Sequence, residues 1–252
     1  MRTRELKMLL YKSWLETRWG FFLALSILLI FSLWSVLRFP GAVTSGLRDM
    51  QVHNHPNAAL RGLSTYTQVE IFEKLTLLWT IFSVMLGTGG LLKEKLLGTA
   101  LFLLSLPAGR RRLLTVRCTV SVFQASFLAL AAYAIVPLSF PLVHQTYSLD
   151  LALRYACILA ISGVSFVVYG ILISVVLEGS NWPGIIGATT AFLWLIGGQL
   201  VPSFERYAPF QVLSGESYFR FGVVPWTGIS LSLGIATLMF AFALWIVKWQ
   251  DF

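Results

Sequence analysis

Few residues of this sequence stand at spacings that support metal binding or catalysis. His53 and His55 alternate in HNH and could offer two imidazoles to a metal, but no cysteine, third nearby histidine or convincing carboxylate completes the set. The glycine-rich GTGGLLKEK at 87–95 does not match the phosphate-binding pattern G-x-x-x-x-G-K-[ST]; its small residues, Gly87 to Gly90, instead indicate close helix packing or a local bend. G-x-S-x-G and H-E-x-x-H patterns are missing too. We therefore predict no enzyme activity, catalytic residue, metal site or cofactor for the chain itself.

The composition is typical of an integral membrane protein. Hydrophobic residues make up 57% of the 252 residues and charged residues 12%, against roughly 45–50% and 25% in soluble proteins. The net charge of +8 does not indicate a nucleic-acid partner, because the basic residues flank apolar runs instead of lining a groove with stacking aromatics. Six apolar segments approach the ~20 residues that a helix needs to cross the hydrocarbon of a bilayer: about 20–37, 75–92, 113–136, 152–177, 183–201 and 226–247. The sequence thus predicts an all-α protein, with a six-helix transmembrane bundle forming a single domain over 1–252.

The Lys and Arg residues predict the orientation of this bundle. With six spans, one side collects Arg2, Arg4, Lys7, Lys12, Arg18, Lys93, Lys95, Arg110, Arg111, Arg112, Arg117 and Lys248, and the other Arg38, Arg48, Arg61, Lys74, Arg154, Arg206 and Arg220. Because the more basic side of a membrane protein faces the cytoplasm, we expect both termini there. The localisation that follows is the inner (cytoplasmic) membrane, crossed several times.

The segment before the first span predicts an amphipathic helix. Over about 3–18, Leu6, Leu9, Leu10 and Trp14 recur at helical spacing, whereas most charged side chains lie elsewhere. Such a helix lies in the membrane interface with its basic residues at anionic headgroups. The membrane-interface residues are then Arg4, Lys7, Lys12, Trp14 and Arg18. The alternative is a frayed, positively charged tail that only sets the topology.

The stretch LLSLPAGRRRLL at 103–114 combines three arginines with two leucine-rich runs. Each arginine would cost about 2.5–3.5 kcal/mol near the bilayer centre on insertion scales, so the cluster must lie at or beyond the membrane edge. Pro107 and Gly109 favour a reversal of the chain. We therefore expect a short helix before Pro107 and the start of the third span near Arg110.

This loop carries a resemblance to a known family. The pattern E-x-x-x-G-T-x-x-x-L-L-S-L-P-x-x-R, from Glu94 to Arg110, resembles the cytoplasmic loop between spans two and three of type 2 ATP-binding-cassette (ABC) permeases. The six spans, amphipathic N-terminus and cytoplasmic termini are also similar to that family. The resemblance implies that the short cytoplasmic helix is a coupling helix docking on a separate ATPase. Its ATPase-coupling residues would be Lys93, Glu94, Gly98, Thr99, Leu101, Ser105, Pro107 and Arg110, with Leu101 where the family often has an acidic residue.

The function that the resemblance implies is that of a permease subunit. The chain would pair with a second permease copy or paralogue within membrane lipid and give an ABC exporter its gated path, while the partner ATPase binds ATP and Mg²⁺. A secondary transporter is an alternative, for which Gln124 in the third span is a lone polar candidate. A membrane assembly subunit without transport is another. Residues 199–226 resemble the external re-entrant segment of these permeases, but an interfacial aromatic belt explains the same residues.

Overall fold

The computed structural model describes residues 3–40, 71–88, 110–177, 182–200, 218 and 223–249, with side chains at 7–40, 71–88, 111–177, 182–193, 218 and 223–249. These ranges are mostly helical and contain no strand. The helices are α1 (Thr3–Leu37), α2 (Lys74–Thr88), α3 (Arg110–Ser139), a 3-10 turn (Phe140–Val143), α4 (Leu149–Ser162), α5 (Val164–Val176), α6 (Pro183–Leu200) and α7 (Trp226–Trp249). The predicted all-α class is confirmed for this part of the chain.

Five stretches are long and apolar enough to cross a membrane. They are Lys7–Leu37, Ile71–Thr88, Arg111–Val143, Leu149–Val176 and Trp226–Trp249, and they overlap the first four predicted spans and the last. The predicted fifth span, 183–201, corresponds to α6, of which Pro183–Leu193 counts as a shorter apolar helix. A membrane bundle is therefore supported, and the sixth crossing stays a prediction.

The predicted boundary between an interfacial helix and the first span is not observed. α1 is one helix of 35 residues that continues through the region near residue 19. At 1.5 Å per residue it is about 52 Å long, whereas the hydrocarbon layer is about 30 Å thick. Gly20 is the only glycine in α1, and neither proline nor another helix breaker accompanies it. The N-terminal turns thus continue the axis of the span, and an interfacial orientation for them stays a prediction.

Large apolar side chains cover much of the outer surface. Phe22, Trp34, Phe123, Leu238 and Trp245 are each at least half exposed. An apolar surface of this extent is unfavourable in water and suits a lipid environment. The outward faces of α1, α3 and α7 are therefore those expected of lipid-facing helices.

The packing shows which helix ends lie together. Glu16 of α1 forms an ion pair with Arg117 near the start of α3, and Leu114 of α3 shares a core cluster with Val175 at the end of α5 and Val247 at the end of α7. The beginning of α1 and the end of α7 are consequently at the same end of the bundle as the beginning of α3. We call this the basal end.

Two glycines bring the backbones of α2 and α5 into contact. A Cβ atom added to Gly87 would lie 2.3 Å from the carbonyl oxygen of Val167, and one added to Gly170 would lie 2.3 Å from that of Val84. No real Cβ contact is that short, so only glycine fits at either position without a shift of backbone. The predicted close packing is confirmed at Gly87, whereas Gly89 and Gly90 lie outside the described residues.

Trp79 of α2 packs between α3 and the junction of α4 with α5. Its side chain is fully buried, and its Nε1 donates a hydrogen bond to the carbonyl oxygen of Ala125 in α3 at 2.9 Å. The edge of its ring reaches Gly163, between α4 and α5, where an added Cβ would lie 2.0 Å from Cη2. The fourth predicted span is accordingly two helices joined at Gly163, with the indole packed at the junction.

Candidate functional site

The predicted ATPase-coupling segment lies largely outside the described residues. Lys93, Glu94, Gly98, Thr99, Leu101, Ser105 and Pro107 are all in 89–109. Arg110 is the first residue of α3, where the sequence predicted the third span to start. The chain between Thr88 and Arg110 therefore connects the ends of α2 and α3.

The predicted membrane-interface residues follow one another along α1. The side chain of Arg4 lies outside the described set, Lys7 is exposed, and the guanidinium of Arg18 is 5.5 Å from the centre of the Trp19 ring. Trp14 departs from the expectation, because its ring is 5.4 Å from that of Phe21 and packs against the hydrophobic core. It is thus turned toward the bundle, because a large aromatic side chain gains more by packing against Phe21 than by staying at the surface.

A line of polar side chains runs between α1 and α3. Ser13, Glu16 and Thr17 occupy one face of α1 at i, i+3 and i+4, and Arg117 and Gln124 occupy one face of α3 two turns apart. Except for Glu16, all of them are buried. We call these five residues the polar seam.

Hydrogen bonds link the three uncharged members of the polar seam. Gln124 is completely buried, and its Nε2 donates to the Thr17 hydroxyl oxygen at 2.8 Å. The Thr17 hydroxyl in turn donates to the carbonyl oxygen of Ser13 at 3.0 Å. Within the described part of the chain, Gln124 Oε1 and the Ser13 hydroxyl have no hydrogen-bond partner. A buried polar atom left in this state costs about 1–3 kcal/mol, so these side chains are more polar than the packing of the two helices requires.

The other two members of the polar seam, Glu16 and Arg117, are charged. Nη1 of Arg117 lies 3.6 Å from Oε2 of Glu16, and the Arg117 side chain is only 8% exposed. Lys12 approaches the other carboxylate oxygen of Glu16 at 3.6 Å from the same helix. The carboxylate therefore lies between one buried cation and one partly exposed cation. An arginine that lies among membrane helices needs such a partner, because an uncompensated buried charge is strongly unfavourable.

The position of each group along α3 gives its depth. α3 has 30 residues and is about 45 Å long, so it exceeds a ~30 Å hydrocarbon layer by about 15 Å. If this excess is shared between both ends, Arg117, about 10 Å from Arg110, lies close to the hydrocarbon edge. Gln124, about 21 Å from Arg110, lies inside the layer. The polar seam thus begins at the basal edge of the bundle and reaches its interior.

The sequence did not predict the polar seam as one group of residues. Arg117 was predicted as a topology residue and as the basic residue that follows the permease-like motif, Gln124 as a lone polar candidate, and Glu16, Ser13 and Thr17 as part of an interfacial helix. Polar residues recur at i, i+3 and i+4 on α1 and at i and i+7 on α3. This spacing alone predicts one polar stripe on each of two otherwise apolar helices. The two stripes face each other because of the tertiary packing, which the residue pattern of a single helix does not predict.

A second polar cluster lies at the opposite end of the bundle. The hydroxyls of Tyr133 and Thr76 are hydrogen-bonded, and the Tyr133 hydroxyl donates to the carbonyl oxygen of Phe72 at 3.2 Å. Tyr147, in the loop before α4, packs edge-on against Phe72 at 5.8 Å, and its buried hydroxyl has no partner among the residues described. Desolvation raises the pKa of Tyr147 far above its usual value, and the nearby Tyr218 adds to the rise. The phenol is consequently neutral throughout the physiological range.

The described side chains contain no metal-binding group of three His, Cys, Asp or Glu residues. Comparisons with protein-family models, curated proteins and solved structures each find no match to the chain. The function must accordingly be inferred from the sequence motif at 93–110, from the ends at which the helices begin and finish, and from the polar seam.

Proposed function

We propose that the chain is the transmembrane subunit of an ABC transporter, with the ATPase on a separate partner chain and with export as its direction. The observation that carries the proposal is the Glu94–Arg110 motif, which connects the end of α2 to the start of α3 at the basal end. A second permease copy or paralogue completes the gated path. ATP and Mg²⁺ belong to the ATPase, so this chain supplies binding and movement and no catalytic group.

The distribution of charge supports a cytoplasmic basal end. Basic residues described near it are Lys7, Lys12, Arg18, Arg111, Arg112, Arg117 and Lys248, whereas those toward the opposite end are Arg38, Lys74 and Arg154. Lys and Arg accumulate on the cytoplasmic side of membrane proteins. Both termini and the 93–110 segment would then face the compartment that contains ATP.

The polar seam connects the start of α3 to α1 and so offers a path by which movement of the 93–110 segment reaches the bundle. Arg110 is joined to Arg117 by two turns of continuous helix, and Arg117 is paired with Glu16 of α1. A displacement of the 93–110 segment by the ATPase therefore moves the start of α3 and, through the ion pair, α1. The Gln124–Thr17 hydrogen bond continues the same connection into the membrane.

The buried polar groups also favour a second candidate, a secondary transporter. Polar residues inside membrane helices commonly mark ion or substrate pathways. The charged pair, however, lies near the hydrocarbon edge, and the deep member of the polar seam is the neutral Gln124. Coupling to an ion gradient ordinarily uses ionisable groups near the middle of the membrane, which the described part of this bundle does not offer there. The ABC proposal accounts better for the position of the charges.

Co-purification tests the proposal. The chain is extracted from its native membrane in mild detergent and captured through a C-terminal tag, and bound proteins are tested for ATP binding and hydrolysis. We expect a nucleotide-binding protein of a different chain in a fixed ratio to the permease. Recovery of this chain without ATPase activity, from membranes whose ion-gradient-driven uptake requires it, would support the secondary transporter instead.

A further inference from the structure

A cavity of about 310 Å³ lies between α5, α6 and α7, away from the polar seam. Its described lining consists of Ser165, Phe166, Tyr169, Thr190, Ser232, Ile235 and Met239. Phe166, Ile235 and Met239 give it an apolar wall, and the other four carry hydroxyl groups. No charged side chain belongs to this lining. The combination of a mainly apolar wall with a few polar groups is typical of small-molecule sites.

Three of the four hydroxyls already use their protons within the protein. Ser165 donates to the carbonyl oxygen of Ser162 at 2.9 Å, and Thr190 donates to that of Ile186 at 2.8 Å. Tyr169 and Thr190 are 2.7 Å apart, so Tyr169 must donate and Thr190 accept. The Tyr169–Thr190 hydrogen bond thus joins α5 and α6, and none of the three hydroxyls has a proton left for a ligand.

Ser232 is different from the other three. Its side chain is buried, lines the cavity and makes no hydrogen bond to the described residues. A serine hydroxyl among membrane helices commonly donates to the carbonyl three or four residues earlier in its own helix, as Ser230 does to Thr227 at 3.0 Å. The proton of Ser232 is therefore available to an acceptor inside the cavity.

The size and charge of the cavity restrict its ligand. A protein cavity of about 150 Å³ holds benzene. Twice that volume has room for about two fused rings or an aliphatic molecule of similar bulk. Because the described lining has no charged side chain, an ionised ligand would lose its hydration without compensation. Thr190 of α6 is exposed, which leaves an approach to the cavity from the side of the bundle.

We infer that this cavity binds an uncharged, largely apolar molecule of about two fused rings, whose oxygen accepts a hydrogen bond from Ser232. The inference does not depend on the ABC proposal, since the cavity is formed by α5, α6 and α7 of one chain and lies apart from the segment that would contact an ATPase. A free small molecule satisfies the same chemistry whether it is a transported substrate or a modulator.

Three probes of equal ring size test this inference. 2-Naphthol, naphthalene and 2-naphthoate are each equilibrated with the purified chain in nanodiscs of phosphatidylcholine, and uptake by empty nanodiscs is subtracted. We expect saturable binding of 2-naphthol, weaker saturable binding of naphthalene and none of 2-naphthoate. Uptake equal to that of empty nanodiscs for all three, or preference for the carboxylate, would overturn the inference.

Two matched pairs of variants locate the binding. Ser232→Ala should weaken 2-naphthol binding roughly twofold to tenfold, as loss of one neutral hydrogen bond does, and leave naphthalene unchanged. Its control is Ser230→Ala, at an exposed serine of the same helix. Met239→Trp should fill the cavity and abolish saturable binding of both probes, whereas Leu238→Trp, on a side chain that is 73% exposed, should not. Full 2-naphthol affinity in Ser232→Ala would exclude the proposed hydrogen bond even if Met239→Trp failed to fold.

Discussion

Arg117 of α3 and Glu16 of α1 form an ion pair, with 3.6 Å between Nη1 and Oε2, where the basal ends of the two helices meet. The same carboxylate lies 3.6 Å from Lys12 on its own helix. The arginine is buried and the lysine is not, so the two pairs differ in solvent screening. Because screening weakens the exposed pair, the interhelical pair should contribute more to stability.

A double-mutant cycle measures this difference. We expect Glu16→Gln and Arg117→Gln to show an interaction energy of about 1 kcal/mol or more in unfolding of the detergent-solubilised protein. The control cycle, Glu16→Gln with Lys12→Gln, should give about 0.5 kcal/mol or less, as exposed helical pairs do. Equal energies in the two cycles would mean that the buried arginine is not held chiefly by Glu16.

Gly87→Leu should prevent the close contact of α2 and α5. An added Cβ already lies 2.3 Å from the Val167 carbonyl oxygen, so the larger side chain must push the helices apart. We expect a loss of folded, monodisperse protein on size-exclusion chromatography. Gly234→Leu is the matched control, because an added Cβ there meets nothing within 4 Å. If both variants behave like the wild type, the two backbones are not in contact.

Tyr147→Phe removes a buried hydroxyl without a partner among the described residues. We expect unchanged or slightly increased stability at pH 7, by up to about 1 kcal/mol, since no hydrogen bond is lost. The folded state raises the pKa of this phenol from its ordinary value of 10.0. Folding therefore favours the neutral phenol over the phenolate, so the wild type keeps its full stability below pH 10 and loses stability at higher pH. The thermal unfolding midpoint of Tyr147→Phe should therefore decrease less steeply above pH 10 than that of the wild type. A marked destabilisation at pH 7 would reveal a hydrogen bond for Tyr147.

The orientation is tested by a single cysteine at Asn57, in the 41–70 segment, with Cys118 and Cys157 replaced by alanine. The Lys/Arg asymmetry predicts that this cysteine reacts with an impermeant thiol reagent added to intact cells. A cysteine at Phe252 should react only after lysis. The reverse pattern would put the basal end outside the cell and remove its access to ATP.

Much of the bundle was predictable because hydropathy is a property of single segments. Five apolar windows correspond to helices long enough to span, and Arg110 begins α3 as expected from the Pro107–Gly109 break. The division of the fourth span at Gly163 was not foreseen, because it depends on Trp79 reaching in from another helix. The continuity of α1 was also not foreseen, since the amphipathic spacing over 3–18 predicted a separate helix before the first span.

Less of the candidate site could be predicted from the sequence. The sequence predicted only that the basic residues of α1 face headgroups and gave Thr17 no polar partner, yet Thr17 donates to the α1 backbone and accepts from Gln124 in α3. The pairing joins residues that are 107 positions apart, and a single sequence contains no measure of such a contact. Arg117 similarly looked like an edge charge until its burial against Glu16 was visible.

The most direct measurement of the central claim is ATP hydrolysis coupled to transport in variants of the 93–110 segment. Gly98→Val adds bulk beside Thr99 without changing charge, whereas changing Arg110, Arg111 and Arg112 to lysine keeps the charge at the membrane edge. Both proteins are reconstituted with the co-purified ATPase, and substrate-stimulated hydrolysis is compared with that of the wild type at equal membrane abundance. The account predicts near-normal coupling in the lysine variant and, in Gly98→Val, an assembled complex whose hydrolysis no longer responds to substrate. Wild-type coupling in Gly98→Val would contradict the account, because the segment would then act only as a basic connection between α2 and α3.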